Sequence, residues 1–490
     1  MAGHEEPAYF VKARAAGRPV VREPPKFDLD AYIANYKGKT RIDRLYLIGT
    51  TSSYLYLEAL KAAIAEAKRG KDVNRYEMAV AALRDIAPGD PDAKLDQLWV
   101  TRTQAQVQAD TEKLEQELRG YKNNLIKESI RMGYDDLGQH YHRIGELPNA
   151  TKAFARMREY CTTPSHVAIV SLRIIHVSVD QSNWLAVHSN ALKIRNQTQR
   201  PADSERYAAK LSAVIGLAHL ESGNYKDAAI SFLGTDPRML QARLDDPSDE
   251  EAYNEIIIPN DVAVYGGLCA LASMTRQELQ SRVLDNSSFR NYLELEPHIR
   301  RAISHFVSSK YSACLSILES HRPDYMLDIH LQRQIPELYF QVRTKAIVQY
   351  FIPFSCVTLG ALANAFHTTE EIVEVELVDM IQRGMLKARL DLEHRVLVAD
   401  VEDARQKVHE EALAMSKAYA RTCQLRLLRM GVIASGLEVK QTRKGGHGRG
   451  GGLGDYGGYG GDLLAGTGDL FNRSDAMGMG KSKGMLRMNL

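Results

Sequence analysis

Along most of this 490-residue chain apolar residues recur every three to four positions, the period of an amphipathic α-helix. The period changes clearly only within residues 349–400. There, residues 358–366 predict a short helix, and Thr368 with Glu371 has the T-x-x-E spacing of a capping box, in which hydroxyl and carboxylate satisfy free amides at a helix start. Behind that box Val373, Leu377, Met380 and Ile381 share one face, and Gly384 ends the pattern. The chain then alternates, with Leu386, Ala388, Leu390 and Leu392 on one side and Lys387, Arg389 and Asp391 on the other. It turns near Glu393 and His394 and returns through Arg395, Val396, Leu397 and Val398. Helix, helix and two-stranded wing predict a winged helix.

A winged helix that reads DNA needs cations and amides on its second helix. This one carries Glu370, Glu371, Glu374, Glu376 and Asp379 against Arg383. That balance repels phosphate and argues against a nucleic-acid partner. It favours protein docking, with a strand edge pairing to a neighbour.

Upstream, residues to Pro25 are polar and broken by prolines, and predict an extended or disordered start. Helical patterns cover residues 29–38, 41–70 and 73–87; a proline–glycine break follows, then a long helix over 95–121. Between 122 and 336 a small-and-aromatic skeleton repeats: Gly138, Tyr141, Ala150 and Phe154, then Gly216, His219, Gly223, Ala228 and Phe232. It returns less regularly in 180–192 and 308–321. Small residues let paired helices approach while an aromatic ring fills the gap, so the segment predicts a tetratricopeptide-like solenoid of helical hairpins. Residues 236–251 predict its longest loop. A final helix over 402–436 carries an apolar seam through Ala412, Met415, Tyr419, Cys423, Leu427, Met430, Ala434 and Leu437. Nothing further along the chain is left to cover it, so docking to helices of other subunits is expected.

From Arg443 the composition collapses: residues 445–484 hold 16 of the 35 glycines, which predicts a disordered tail. Elsewhere composition is that of an ordinary globular protein, with a formal net charge of +2. The five scattered cysteines contain no C-x-x-C pair, so buried free thiols are expected. No apolar run reaches membrane-spanning length, and a soluble intracellular protein is the reading. Catalytic patterns fail one by one. The G-x-G-x-x-G at 452–457 lies in the glycine-rich tail, without a strand before it or a helix after it. His140 and His142 stand two apart and point to different helix faces. His409 lacks a second histidine at zinc-helix spacing. Arg449-Gly450-Gly451 is a lone RGG-like element, read as part of a solubilising tail. No catalytic residue, metal or cofactor is expected.

Several stretches carry a family resemblance: 41–48 (RIDRLYLI), 126–161 (with DDLGQHYHRIGELP), 261–279 (with YGGLCALA), 291–318 (with LELEP) and 346–359. Together they resemble the PCI-domain family of subunit one of the COP-nine signalosome, over about residues 27–436. The paralogous subunit of the proteasome regulatory lid is the nearest alternative, and an RNA-associated PCI protein a further one. The resemblance implies a mainly α fold, in which a helical-repeat solenoid and a winged helix form a PCI domain, followed by a C-terminal bundle helix. The expected divisions are 1–27 disordered, 28–121 helical, 122–336 repeats, 337–400 winged helix, 401–440 terminal helix and 441–490 tail. It further implies a non-catalytic scaffold whose complex removes NEDD8 from cullins with zinc held in another subunit. Partners would be other PCI and MPN subunits and, through the complex, cullin–RING ligases, in nucleus and cytoplasm. The expected interface residues are Met385, Leu386, Ala388, Leu390, Val396 and Val398 on the wing, and Met415, Tyr419, Cys423, Leu427, Met430 and Ala434 on the terminal helix.

Overall fold

The apolar stripes of the chain fold into successive helical hairpins. The structure, a computed structural model, describes residues 7–197, 201–237, 240, 254–400 and 404–437. The chain divides into two compact units, Met1–Val401 and Glu402–Leu490. The glycine-rich tail, with its G-x-G-x-x-G and RGG-like elements, and most of the expected 236–251 loop lie outside the described residues.

The first unit begins with α1 (Ala8–Ala15), α2 (Leu29–Ala34), α3 (Gly38–Thr51), α4 (Tyr56–Arg69) and α5 (Val73–Ile86). The expectation of a disordered start is corrected from residue 7 onward. Phe10 is fully buried with its ring edge-on to Tyr56 at 5.8 Å, and Val21 bridges to Ser52. A few well-spaced apolar residues anchor this proline-rich stretch despite its polar average. The helical pattern of 41–70 is also divided in two, because Ser52 Oγ accepts from the Tyr54 and Leu55 amides and turns the chain.

The long α6 (Gln97–Asn124) leads into hairpins α7 (Lys127–Ile144)/α8 (Leu147–Glu159), α9 (Pro164–Asp180)/α10 (Trp184–Gln197) and α11 (Pro201–Glu221)/α12 (Tyr225–Leu233). The small-and-aromatic skeleton has the predicted geometry. A Cβ on Gly138 would lie 2.5 Å from the Phe154 ring, and one on Gly216 2.8 Å from Phe232. Only hydrogen fits at either position. Ala150, Val187 and Ala228, the repeat-equivalent positions, are all fully buried.

Next come α13 (Pro259–Ser273), α14 (Ser287–Leu295), α15 (Pro297–Val307), α16 (Tyr311–Met326) and α17 (Ile335–Phe351). The winged helix follows: β1 (Cys356–Thr358), α18 (Leu359–Phe366), α19 (Glu370–Gln382), β2 (Ala388–Asp391) and β3 (Val396–Ala399). One apolar core runs unbroken from Ala168 and Val187 through Phe232, Leu268 and Phe306 to Leu362, Leu377 and Leu397. The repeats from α9 onward and the winged helix therefore share one core, while α7 and α8 pack around their own with Val170 and Val177 of α9. The second unit is described through α20 (Ala404–Ala434), which closes on Gly436 at φ +69° with paired bonds Gly436 N–H to Ile433 O and Leu437 N–H to Val432 O.

The capping box is corrected. Thr369, not Thr368, stands at the start of α19, without a side-chain cap, and the buried Thr368 hydroxyl has no hydrogen-bond partner. Glu370 instead reaches forward to the wing, accepting from Arg395 Nη1 at 2.9 Å.

Candidate functional site

The wing is built as its alternation predicts, with one strand more. Antiparallel β3 is central and pairs with both β2 and β1 in the order β1–β3–β2. Register places Leu390 opposite Leu397 and Val357 opposite Leu397, so these residues share the face turned toward the core. Asp391 fixes the turn: its carboxylate accepts from the Glu393 amide at 3.0 Å and meets His394 Nδ1 at 2.9 Å.

This register corrects half of the expected wing interface. Leu386 and Ala388 are buried and Leu390 half-buried within the chain's own core. The apolar side of an alternating strand is first claimed by its own helices. Val396 and Val398 lie on the outer face with Arg389 and Cys356, and Met385 is exposed just before β2. Because β3 is paired on both sides, the backbone edges left unpaired among the described residues belong to β2 and β1. Cys356 is also exposed, against the expectation of buried thiols, while Cys269 and Cys314 are buried.

Beside the sheet, α19 turns Val373, Leu377 and Met380 inward and leaves Ile372, Val375 and Val378 exposed. Glu376 pairs with Arg343 at 2.8 Å and Asp379 with Arg383 at 2.9 Å. The face is acidic and apolar, and its neighbouring cations Arg343 and Arg383 are both paired with carboxylates of α19.

On α20 the predicted seam is exposed in the second unit taken by itself: Met415 at 73%, Tyr419 at 71% and Leu427 at 67%, with Met430 and Ala434 exposed and Cys423 half-exposed.

A second centre escaped the sequence reading. Arg44 on α3 is fully buried, and its guanidinium donates to Asp261 at 3.1 Å on α13 and to Asp328 in the turn after α16. It also lies over the Tyr36 ring at 4.1 Å and donates to Tyr265 Oη at 3.2 Å; Tyr36 Oη in turn donates to Asp261 at 2.7 Å. Burial raises the Asp261 carboxyl against the pull of Arg44. Burial also works to raise Asp328, but Arg44 and His330 hold it below the usual carboxylate value. The resemblance-bearing stretches 41–48 and 261–279 thus meet in one buried ion cluster. Their shared specificity was the available signal; their pairing across more than two hundred residues was not.

Near it, His298 and His321 stack at 4.0 Å; His298 Nε2 shares a hydrogen bond with Tyr325 Oη at 2.7 Å. Burial pushes His298 down to about 3 and lowers His321 as well. His140 and His142 diverge as predicted, to Thr111 and Asp180 respectively, each at 2.8 Å. In a cavity of about 470 Å³ beside His142 the two ring nitrogens are taken by carboxylates: His142 Nε2 lies 2.8 Å from Asp180, and His176 Nδ1 3.2 Å from Glu255. Among the described residues no three His, Cys, Asp or Glu side chains are grouped to hold a metal, and no helix is long and apolar enough to cross a membrane.

Residues 96–282 match the family described as 26S proteasome subunit RPN7, and 318–400 match the PCI domain. The chain is 54% identical to COP9 signalosome complex subunit 1 of Emericella nidulans, over 88% of its own length and 87% of that protein. To the same subunit of Neurospora crassa it is 42% identical, over 83% and 91%. Against the 26S proteasome non-ATPase regulatory subunit 6 of rice, identity drops to 20%, over 65% and 78%.

Proposed function

Because the chain belongs to the family of COP9 signalosome complex subunit 1, we propose that it works as a non-catalytic scaffold of that complex, joining other subunits through the winged-helix edge and α20. The observation that carries this reading is α20: a 31-residue helix whose apolar residues stand exposed in its own unit. Leaving Met415, Tyr419, Leu427 and Met430 in water forgoes about 1.5–3 kcal/mol for each side chain that could be buried. A second attachment is the open edge of β2, next to exposed Met385. The partners are PCI and MPN subunits, and the assembled complex removes NEDD8 from cullin–RING ligases with zinc chemistry carried by another subunit. The acidic α19 disfavours the RNA-associated alternative, and the lower identity to the rice protein disfavours the proteasome lid.

The test is affinity purification of the tagged full chain from native extract, with mass spectrometry and a cullin-deneddylation assay on the eluate. Recovery of PCI subunits with a metallo-isopeptidase subunit and chelator-sensitive NEDD8 release is the expected result. Proteasome core and ATPase subunits in the eluate would overturn it. Leu427→Asp places an unpaired charge in the seam at a cost of about 3–5 kcal/mol on docking, so the variant should fold but not assemble.

A further inference from the structure

Resting on the reading that the α20 seam docks onto helices of a partner subunit, the distribution of charge on this helix identifies what the partner must carry. Between Ala412 and Leu437 the sequence contains no Asp or Glu, and its charged residues are Lys417, Arg421, Arg426 and Arg429. They are not equivalent. At 100° per residue, Lys417 and Arg421 fall on the side opposite the line of Met415, Tyr419 and Ile433. Both remain in water when the stripe is covered. Arg426 falls on that line, seven residues after Tyr419 and seven before Ile433, a core position of the heptad spacing. Its neighbours one turn away are Thr422, Cys423, Arg429 and Met430, none of them an acceptor of charge. Among the described residues Arg426 is exposed and makes no ion pair.

After Gln424 apolar residues are found on every side of the helix, with Leu425, Leu427, Leu428, Met430, Val432 and Ile433 all exposed and Arg426 and Arg429 the charges set among them. A helix apolar all round is one that ends surrounded. Covering this end therefore covers Arg426, and a buried guanidinium without a counter-charge is strongly disfavoured. A nucleic acid does not fit, because Lys417 and Arg421 point away from Arg426, which itself lies within the apolar stripe, so the cations form no common face for phosphates. We propose that the partner is a helical bundle bearing an Asp or Glu side chain level with Arg426, so that this residue selects the partner and fixes the register of docking.

The full-length chain and its R426K, R426L and R426E variants would be titrated against the complex of the remaining signalosome subunits, prepared without this chain. The expected order is wild type, R426K within about tenfold, R426L weakened more than tenfold, and R426E weakened ~100-fold or more. R426L binding as tightly as wild type, or tighter, overturns the inference, because leucine improves a seam that faces no acid. Leu427→Asp in the same titration keeps the two readings apart. If it binds normally, α20 does not dock at all. If it fails while R426L and R426E bind normally, docking stands and the acidic partner does not. Circular dichroism of each variant confirms that the chain remains folded.

Discussion

Arg44→Met removes the one cation between two buried carboxylates and keeps the bulk of the side chain. Asp261 is 5% and Asp328 6% exposed, so neither can recover its lost partner from water. Breaking a buried pair from one side costs about 3–5 kcal/mol, and losing the cation over the Tyr36 ring adds about 1 kcal/mol. For a body of about 400 residues that corresponds to a fall in Tm of about 6 °C. Differential scanning calorimetry of the full chain at pH 7 measures it. The loss should be local in its first effects: α2 and α3 are tied to α13 and to the turn after α16 through this cluster, so trypsin should cut residues 26–44 earlier in the variant. Replacing all three charges, Arg44→Met with Asp261→Asn and Asp328→Asn, should recover much of the stability, because no uncompensated charge remains. The deficit of the single variant should also narrow at acid pH, where the stranded carboxyls take up protons. A single variant melting within 1 °C of wild type, or a triple variant worse than the single one, would refute the argument.

Two further substitutions follow from the same geometry. Gly138→Val drives a side chain into the Phe154 ring and should cost about 2–3 kcal/mol in urea unfolding, while Gly120→Ala, with nothing within 4 Å of its Cβ, should stabilise by up to about 1 kcal/mol. His298, held near 3 in the folded chain against about 6.5 when unfolded, contributes a stability present above pH 6.5 and lost as the pH falls toward 3. At pH 5 that loss is about 2 kcal/mol, and His298→Gln should flatten the dependence of Tm on pH between 6.5 and 4.

What could be read in the sequence was local. Gly138 and Phe154, or Gly216 and Phe232, stand within one hairpin, and the contact between helices is implied by their spacing. The wing turn was legible because Asp391, Glu393 and His394 interrupt an alternating run. β1 was not, since Cys356–Thr358 is three residues long and its partner strand lies about forty residues away. Alternation also says which residues share a face but not which face the body of the protein takes, and Leu386, Ala388 and Leu390 went to the core. Phe10 and Val21 were obscured by the prolines around them. The pairing of Arg44 with Asp328 spans 284 residues, a distance over which no periodicity carries information.

The order of the three strands gives the sheet two valences. With β3 satisfied on both sides, β2 and β1 each keep, among the described residues, an open row of backbone donors and acceptors, one four residues long and flanked by Met385, the other three and carrying an exposed thiol. A module with one open side can only terminate a row. One with two unlike sides can take an interior place, because the β2 side and the β1 side present different rows of side chains. Modules meeting β2 edge to β1 edge would make a heterologous contact, which repeats head to tail and gives the row a direction, whereas two β2 edges meeting each other would close as a two-fold pair.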